Sequence, residues 1–212
     1  PAPAVLHQER VLLCYSFMTP HVPKVREELA QLHRELLRPP TLLAGGPHAI
    51  NDTDETLEMG FDAVVVGDAE EAFPRMLVDW LDRRPLPRLT RIEPGTIDIS
   101  RYPGFHRLFD YLPPIEISRG CRYSCQFCSV PRMNRGHLQH RSVDRIVSII
   151  EEYFRIKPLR KRIKFLAPNS FGYGSEDGRH PNLPALVGLL QRLKEIPVPE
   201  ISLGSFPSEV RP

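Results

Sequence analysis

Arg119-Gly120-Cys121-Arg122-Tyr123-Ser124-Cys125-Gln126-Phe127-Cys128 follows directly on the apolar run Ile115 to Ser118. The run reads as a strand, so the segment is a strand ending in a loop with three cysteines spaced CxxxCxxC. Three thiolates on one loop suit three irons of a cubane, because iron–sulfur clusters are held by cysteine thiolates. One iron is then left open to another ligand. Zinc held by the thiolates with His137 or His140 competes with this reading, although structural zinc usually pairs its ligands as two CxxC-like knuckles. An electron-transfer cluster wants four neighbouring cysteines, and the fourth, Cys14, stands apart.

Outward from the loop, apolar spacing predicts a helix carrying Val143, Ile146, Val147 and Ile150. A strand Ile163 to Ala167, a helix near Leu186 to Leu193 and a strand Ile201 to Gly204 follow. The first part of the chain has the same rhythm: Val11 to Phe17, a helix through Val22, Val25, Leu29, Leu32 and Leu36, then Thr41 to Ala44. Ala63 to Val66 and a helix through Phe73, Met76 and Trp80 complete it. The alternation argues for α/β architecture, with parallel strands buried on both faces. Cys14, inside the run Val11 to Tyr15, reads as a buried structural thiol. Prolines crowd Pro85 to Pro114, which reads as an extended connection. The expected domains are therefore residues 1–84, a connection over 85–114, and residues 115–212. A complete (β/α)8 barrel takes about 250 residues. Residues 115–212 are therefore expected to be the amino-terminal half of a barrel, and the chain a fragment.

Of 212 residues, 41% are hydrophobic and 25% charged, an ordinary globular composition that excludes disorder. A net charge of +2 gives no strong field favouring nucleic acid or an anionic membrane. No apolar stretch approaches the roughly 18 residues of a membrane span, and the first ten residues lack a signal-peptide pattern. A cytoplasmic location is the expectation, and cysteines crowded into one loop suit a reducing compartment.

The pattern CxxxCxΦC, with Phe127 in the aromatic position, resembles the signature of the radical S-adenosylmethionine (SAM) superfamily. The resemblance implies a [4Fe-4S] cluster on Cys121, Cys125 and Cys128. SAM chelates its open iron and is cleaved reductively to a 5′-deoxyadenosyl radical. It implies Phe127 beside the SAM adenine. It also places Asn169 and Ser170, at the end of the next strand, near the SAM amino group, without the family's usual glycine-rich form. Ser205 and Glu209, past the third strand, are expected to meet the SAM ribose or the substrate. Arg141-Ser142 resembles the start of the family's first helix after the loop, and Ser142 reads as an N-cap. The expected partners are a small-molecule substrate and an electron donor such as a flavodoxin or ferredoxin.

Leu42-Leu43-Ala44-Gly45-Gly46-Pro47-His48 and Gly60 to Phe73 together resemble the Rossmann-like cobalamin-binding domain that precedes many radical SAM cores. On this resemblance Ser16, Gly45 and Gly46 approach cobalamin, although the domain's DxHxxG motif is absent and His48 does not match its ligand position. The reaction implied is cobalamin-dependent methyl transfer to an unactivated carbon. The alternatives are a radical enzyme with a cofactor-free first domain, or a non-enzymatic iron–sulfur or zinc module.

Overall fold

Residues 10–108, 113–123, 125–158, 162–197 and 200–204 are described by a computed structural model, and the chain divides into two units between Ile97 and Asp98. The first unit runs Leu12–Ser16 (β1), Val22–Glu35 (α1), Thr41–Gly45 (β2), Pro47–Asn51 (α2), Thr53–Glu58 (α3), Ala63–Val66 (β3), Ala72–Leu81 (α4) and Leu89–Arg91 (β4). Its strands form one parallel sheet in the order β1-β2-β3-β4. Val22, Val25 and Leu29 of α1, at helical spacing, share one core with Leu42, Ala44 and Val64. Met76 of α4 shares a second core with Leu43, Ala63 and Val65. Strands β2 and β3 are thereby buried on both faces, as central parallel strands should be.

Two expectations need correction here. Cys14 is exposed, because β1 is an edge strand with a single neighbour and Cys14 belongs to neither core. The stretch expected as a connection over residues 85–114 contains β4, which adds the fourth strand through Val64 opposite Leu89 and Val66 opposite Arg91. Pro85 and Pro87 precede β4, so they remove no donor from the ladder of this edge strand. The first unit therefore reaches Ile97 rather than ending at Arg84.

The second unit runs Ile115–Glu116 (β5), Ser118–Arg119 (β6), Val130–Met133 (α5), Gln139–His140 (β7), Val143–Ile156 (α6), Arg162–Leu166 (β8), Leu183–Lys194 (α7) and Glu200–Ser202 (β9). Strands β5, β8 and β9 are parallel neighbours in that order, with α6 and α7 as the intervening helices. This is the partial β/α fold expected. Its core gathers Ile115 and Ile117, Ile146 and Ile150 of α6, Ile163 and Phe165 of β8, and Leu189 and Leu193 of α7. The Ser142 Oγ accepts from the Arg145 N–H at 3.3 Å and starts α6 as a cap should. Among the described residues no helix is long and apolar enough to cross a membrane.

Candidate metal and cofactor site

The cysteine loop leaves the β5 region through a short antiparallel pair, with Ser118 opposite His140 and Arg119 opposite Gln139. Gly120 follows at φ +87°, and a Cβ there would lie 1.7 Å from the His137 carbonyl oxygen. Only glycine allows this approach and this left-handed backbone. Cys121 comes next and lines a small cleft with Ser118, Tyr123, His140 and Asn169. Cys125 and Cys128 lie farther along the connection between β6 and β7, in a turn closed by the Cys128 N–H donating to the Cys125 carbonyl at 3.1 Å. None of the three is in a disulfide, and all are half-buried. Among the described residues no three His, Cys, Asp or Glu side chains stand in metal-ligand geometry, so the loop must tighten to bring its thiols onto one group. Their chemistry still fits a four-iron cluster: three thiols on one loop after a strand, with no disulfide to consume them.

Around this loop the polar groups are closely paired. The His140 Nε2 lies 2.9 Å from the Ser175 carbonyl oxygen, which can only accept, so Nε2 carries the proton. Nδ1 is then bare and accepts from the Ser118 hydroxyl at 2.8 Å. Burial pushes the imidazole pKa below its ordinary value, against a smaller opposite effect of the bond to Ser175, which keeps the ring neutral. The Arg141 guanidinium, buried, donates to the carbonyls of Glu116 at 2.9 Å and Tyr102 at 2.8 Å. The Glu116 carboxylate receives both Nε and a terminal nitrogen of Arg119, at 2.9 and 2.8 Å. The Tyr173 hydroxyl donates to the Arg141 carbonyl at 2.8 Å, and burial pushes its pKa up to about 12.

After β8 the backbone turns through a 3-10 segment, Ser170–Gly172. The Asn169 Oδ1 accepts from the Phe171 N–H at 3.2 Å and so caps the turn, while Asn169 also lines the cleft of Cys121. Ser170 is fully buried, and its Oγ meets no hydrogen-bond partner among the described residues. A buried hydroxyl without a partner costs about 1–3 kcal/mol, which a ligand could recover. Phe127, expected against adenine, is 84% exposed. Ser205 and Glu209 lie outside the described residues.

In the first unit the structure brings Ser16 and Gly46 together, at the ends of adjacent strands. A Cβ on Gly46 would lie 2.3 Å from the Ser16 Oγ, so the close approach that Gly46 permits is that of Ser16 itself. A Cβ on Gly45 would meet the Val65 carbonyl at 3.6 Å, an ordinary contact. His48 is fully buried, with Nδ1 3.1 Å from the Thr19 Oγ1 and Nε2 3.4 Å from a Glu55 oxygen. Packing thus accounts for Ser16, Gly46 and His48, without recourse to a ligand.

Sequence reasoning placed the three cysteines, Asn169 and Ser170 near one another, and the fold brings Cys121 and Asn169 to one cleft. It weighed His140 only as a zinc ligand and missed Ser118 and Ser175. The helix start at Ser142 was the one local signal that a short strand ended just before it.

A sequence profile described as the radical SAM superfamily matches residues 115–211. Among curated proteins, the ribosomal protein uS12 methylthiotransferase RimO of Prochlorococcus marinus (strain MIT 9312) is 31% identical over 127 residues, covering 54% of this chain and 26% of that protein. The protein of the same name from Thermosipho melanesiensis is 34% identical over 82 residues, covering 39% of this chain and 18% of that one. The chain therefore spans about a quarter or less of the length of these relatives. Among solved structures, the amino-terminal domain of the hypothetical protein TM0182 of Thermotoga maritima matches 40% of this chain and 63% of its own, at 36% identity and a TM-score of 0.34.

Proposed function

Because residues 115–211 match the radical SAM superfamily profile, we propose that the chain carries the cluster-binding part of an enzyme that cleaves SAM reductively. The observation that carries this reading is Cys121 of the three-cysteine loop lining one cleft with Asn169 of the turn after β8. When bound, the cluster supplies the electron that breaks a carbon–sulfur bond of SAM. The chain's own residues hold and shape. The three thiolates bind iron. Asn169 fixes the turn after β8 and lines the cleft of Cys121. Phe127, standing in solvent, is free to cover the adenine. A one-electron donor such as a flavodoxin or ferredoxin supplies the reductant.

The relatives support sulfur-containing group transfer, of the kind their names state, as the specific outcome. Methyl transfer through cobalamin is less well supported, because the close approach at Gly46 is taken by Ser16 itself. The test is anaerobic reconstitution with iron and sulfide, followed by reduction with dithionite in the presence of SAM. About four irons per chain and release of 5′-deoxyadenosine are expected, a four-iron cubane being the cluster that three cysteines leave with an open iron. Replacing any one of Cys121, Cys125 or Cys128 by Ala should abolish the visible absorption. Normal cluster loading by those variants would overturn the reading. A hydroxocobalamin titration separates the two outcomes: saturable binding would restore the methyl-transfer reading.

A further inference from the structure

We propose that His140 is a positioning residue that sets Cys121 in place ahead of Cys125 and Cys128, an inference that rests on the cluster-binding reading above. The three cysteines are held unequally. Cys121 stands two residues past β6, directly after Gly120, whose backbone is pressed against the His137 carbonyl just before β7. Cys125 and Cys128 lie farther along the same β6–β7 connection, away from the paired strands in sequence and in a turn of their own.

His140 ties that anchorage to the turn at Ser175, while Gln139 and Arg119 tie it to Ile99 and Glu116. Its bare Nδ1 takes the hydroxyl proton of Ser118 at 2.8 Å on one side of the pair. Its Nε2–H reaches the Ser175 carbonyl at 2.9 Å on the other. Ser175 belongs to a turn that is itself well tied. Its own hydroxyl donates to the His180 carbonyl at 2.7 Å and accepts the Gly178 N–H at 2.9 Å. The Asp177 Oδ1 accepts the N–H groups of Arg179 and His180, both at 2.9 Å. Tyr173 packs edge-on against the imidazole at 5.6 Å. His140, Ser118 and Cys121 line the same cleft, so a displacement of the imidazole moves the wall against which Cys121 stands. One thiol is thereby placed before any metal arrives, and the other two close on it.

The test uses the reduced, metal-free 212-residue chain, alkylated with iodoacetamide under anaerobic conditions, with the rate at each cysteine read by peptide mass mapping. Losing one or two hydrogen bonds of ordinary strength should speed Cys121 by about five- to tenfold in His140→Ala, with Cys125 and Cys128 staying within about twofold. His140→Gln, whose amide N–H can still reach the Ser175 carbonyl, should restore most of the slow rate. Ser118→Ala keeps the Ser175 bond and should show a smaller rise at Cys121. It also carries the same expectation if circular dichroism shows His140→Ala unfolded. Equal acceleration at all three cysteines would mean general loosening, and no acceleration at Cys121 would mean no positioning; either result overturns the proposal, as does failure of Gln to rescue. The measurement needs neither iron nor SAM, so a chain that fails to cleave SAM leaves it readable.

Discussion

A methyl group at position 120 would stand 1.7 Å from the His137 carbonyl oxygen, on a backbone at φ +87° that L side chains rarely adopt. Strain and overlap together should cost roughly 2–5 kcal/mol in Gly120→Ala, read as a lowered urea midpoint. Phe127 is the opposite case. It is 84% exposed, so Phe127→Ala should change stability by less than about 0.5 kcal/mol. The same change should weaken SAM binding to the cluster-loaded protein by about 1–3 kcal/mol, the scale of an aromatic–base stack, measured by equilibrium dialysis. Tyr173 supplies a pH signature. The fold favours its protonated form, so the stability it contributes is whole below pH 10 and is lost as pH rises towards about 12. Ultraviolet titration should show a late-ionising tyrosine near that upper value, and Tyr173→Phe should remove it. At this scale the cysteines were legible in the sequence because their chemistry resides in residue type and spacing. His140 was not, because its role depends on facing Ser118 across two strands of two residues each.

Among the elements, α6 was the most legible, since Ile146, Val147, Ile150 and Tyr153 repeat at helical spacing and are all buried. Ile150 is fully buried in the core of the second unit, and Ile150→Ala should cost about 2–5 kcal/mol in chemical denaturation. Removing the cap in Ser142→Ala should cost only about 1 kcal/mol. Strands β4, β6 and β7 escaped the sequence reading for a common reason. Runs of two or three residues show no period, and pairing across the sheet rather than propensity makes them strands. Gly45-Gly46 was legible as a sharp turn at the end of β2, but the neighbour that requires Gly46 is Ser16, a partner that only the β1–β2 register brings there.

At the scale of the whole molecule, four free thiols in 212 residues make oxidation the chief hazard of handling. Because Cys14 is exposed and lies outside the loop, one thiol should remain open to alkylation in cluster-loaded protein and four in the stripped protein. Mass spectrometry after anaerobic treatment with iodoacetamide would count them. If Cys14 is the one protected by iron, the assignment of the loop fails. The pairing of β5 with β8 adds a temporal consequence. Ile115 finds its partner in Phe165, some fifty residues onward, and the cysteine loop lies wholly within the span so closed. Contacts this distant in sequence form late, because the entropy of closing the intervening chain must first be overcome. During synthesis the three thiols therefore emerge well before β8, the strand that pairs with β5, and for that interval each is a nucleophile without shelter. Until β5 and β8 have paired, the loop stays open to sulfenic acid and stray disulfides in air.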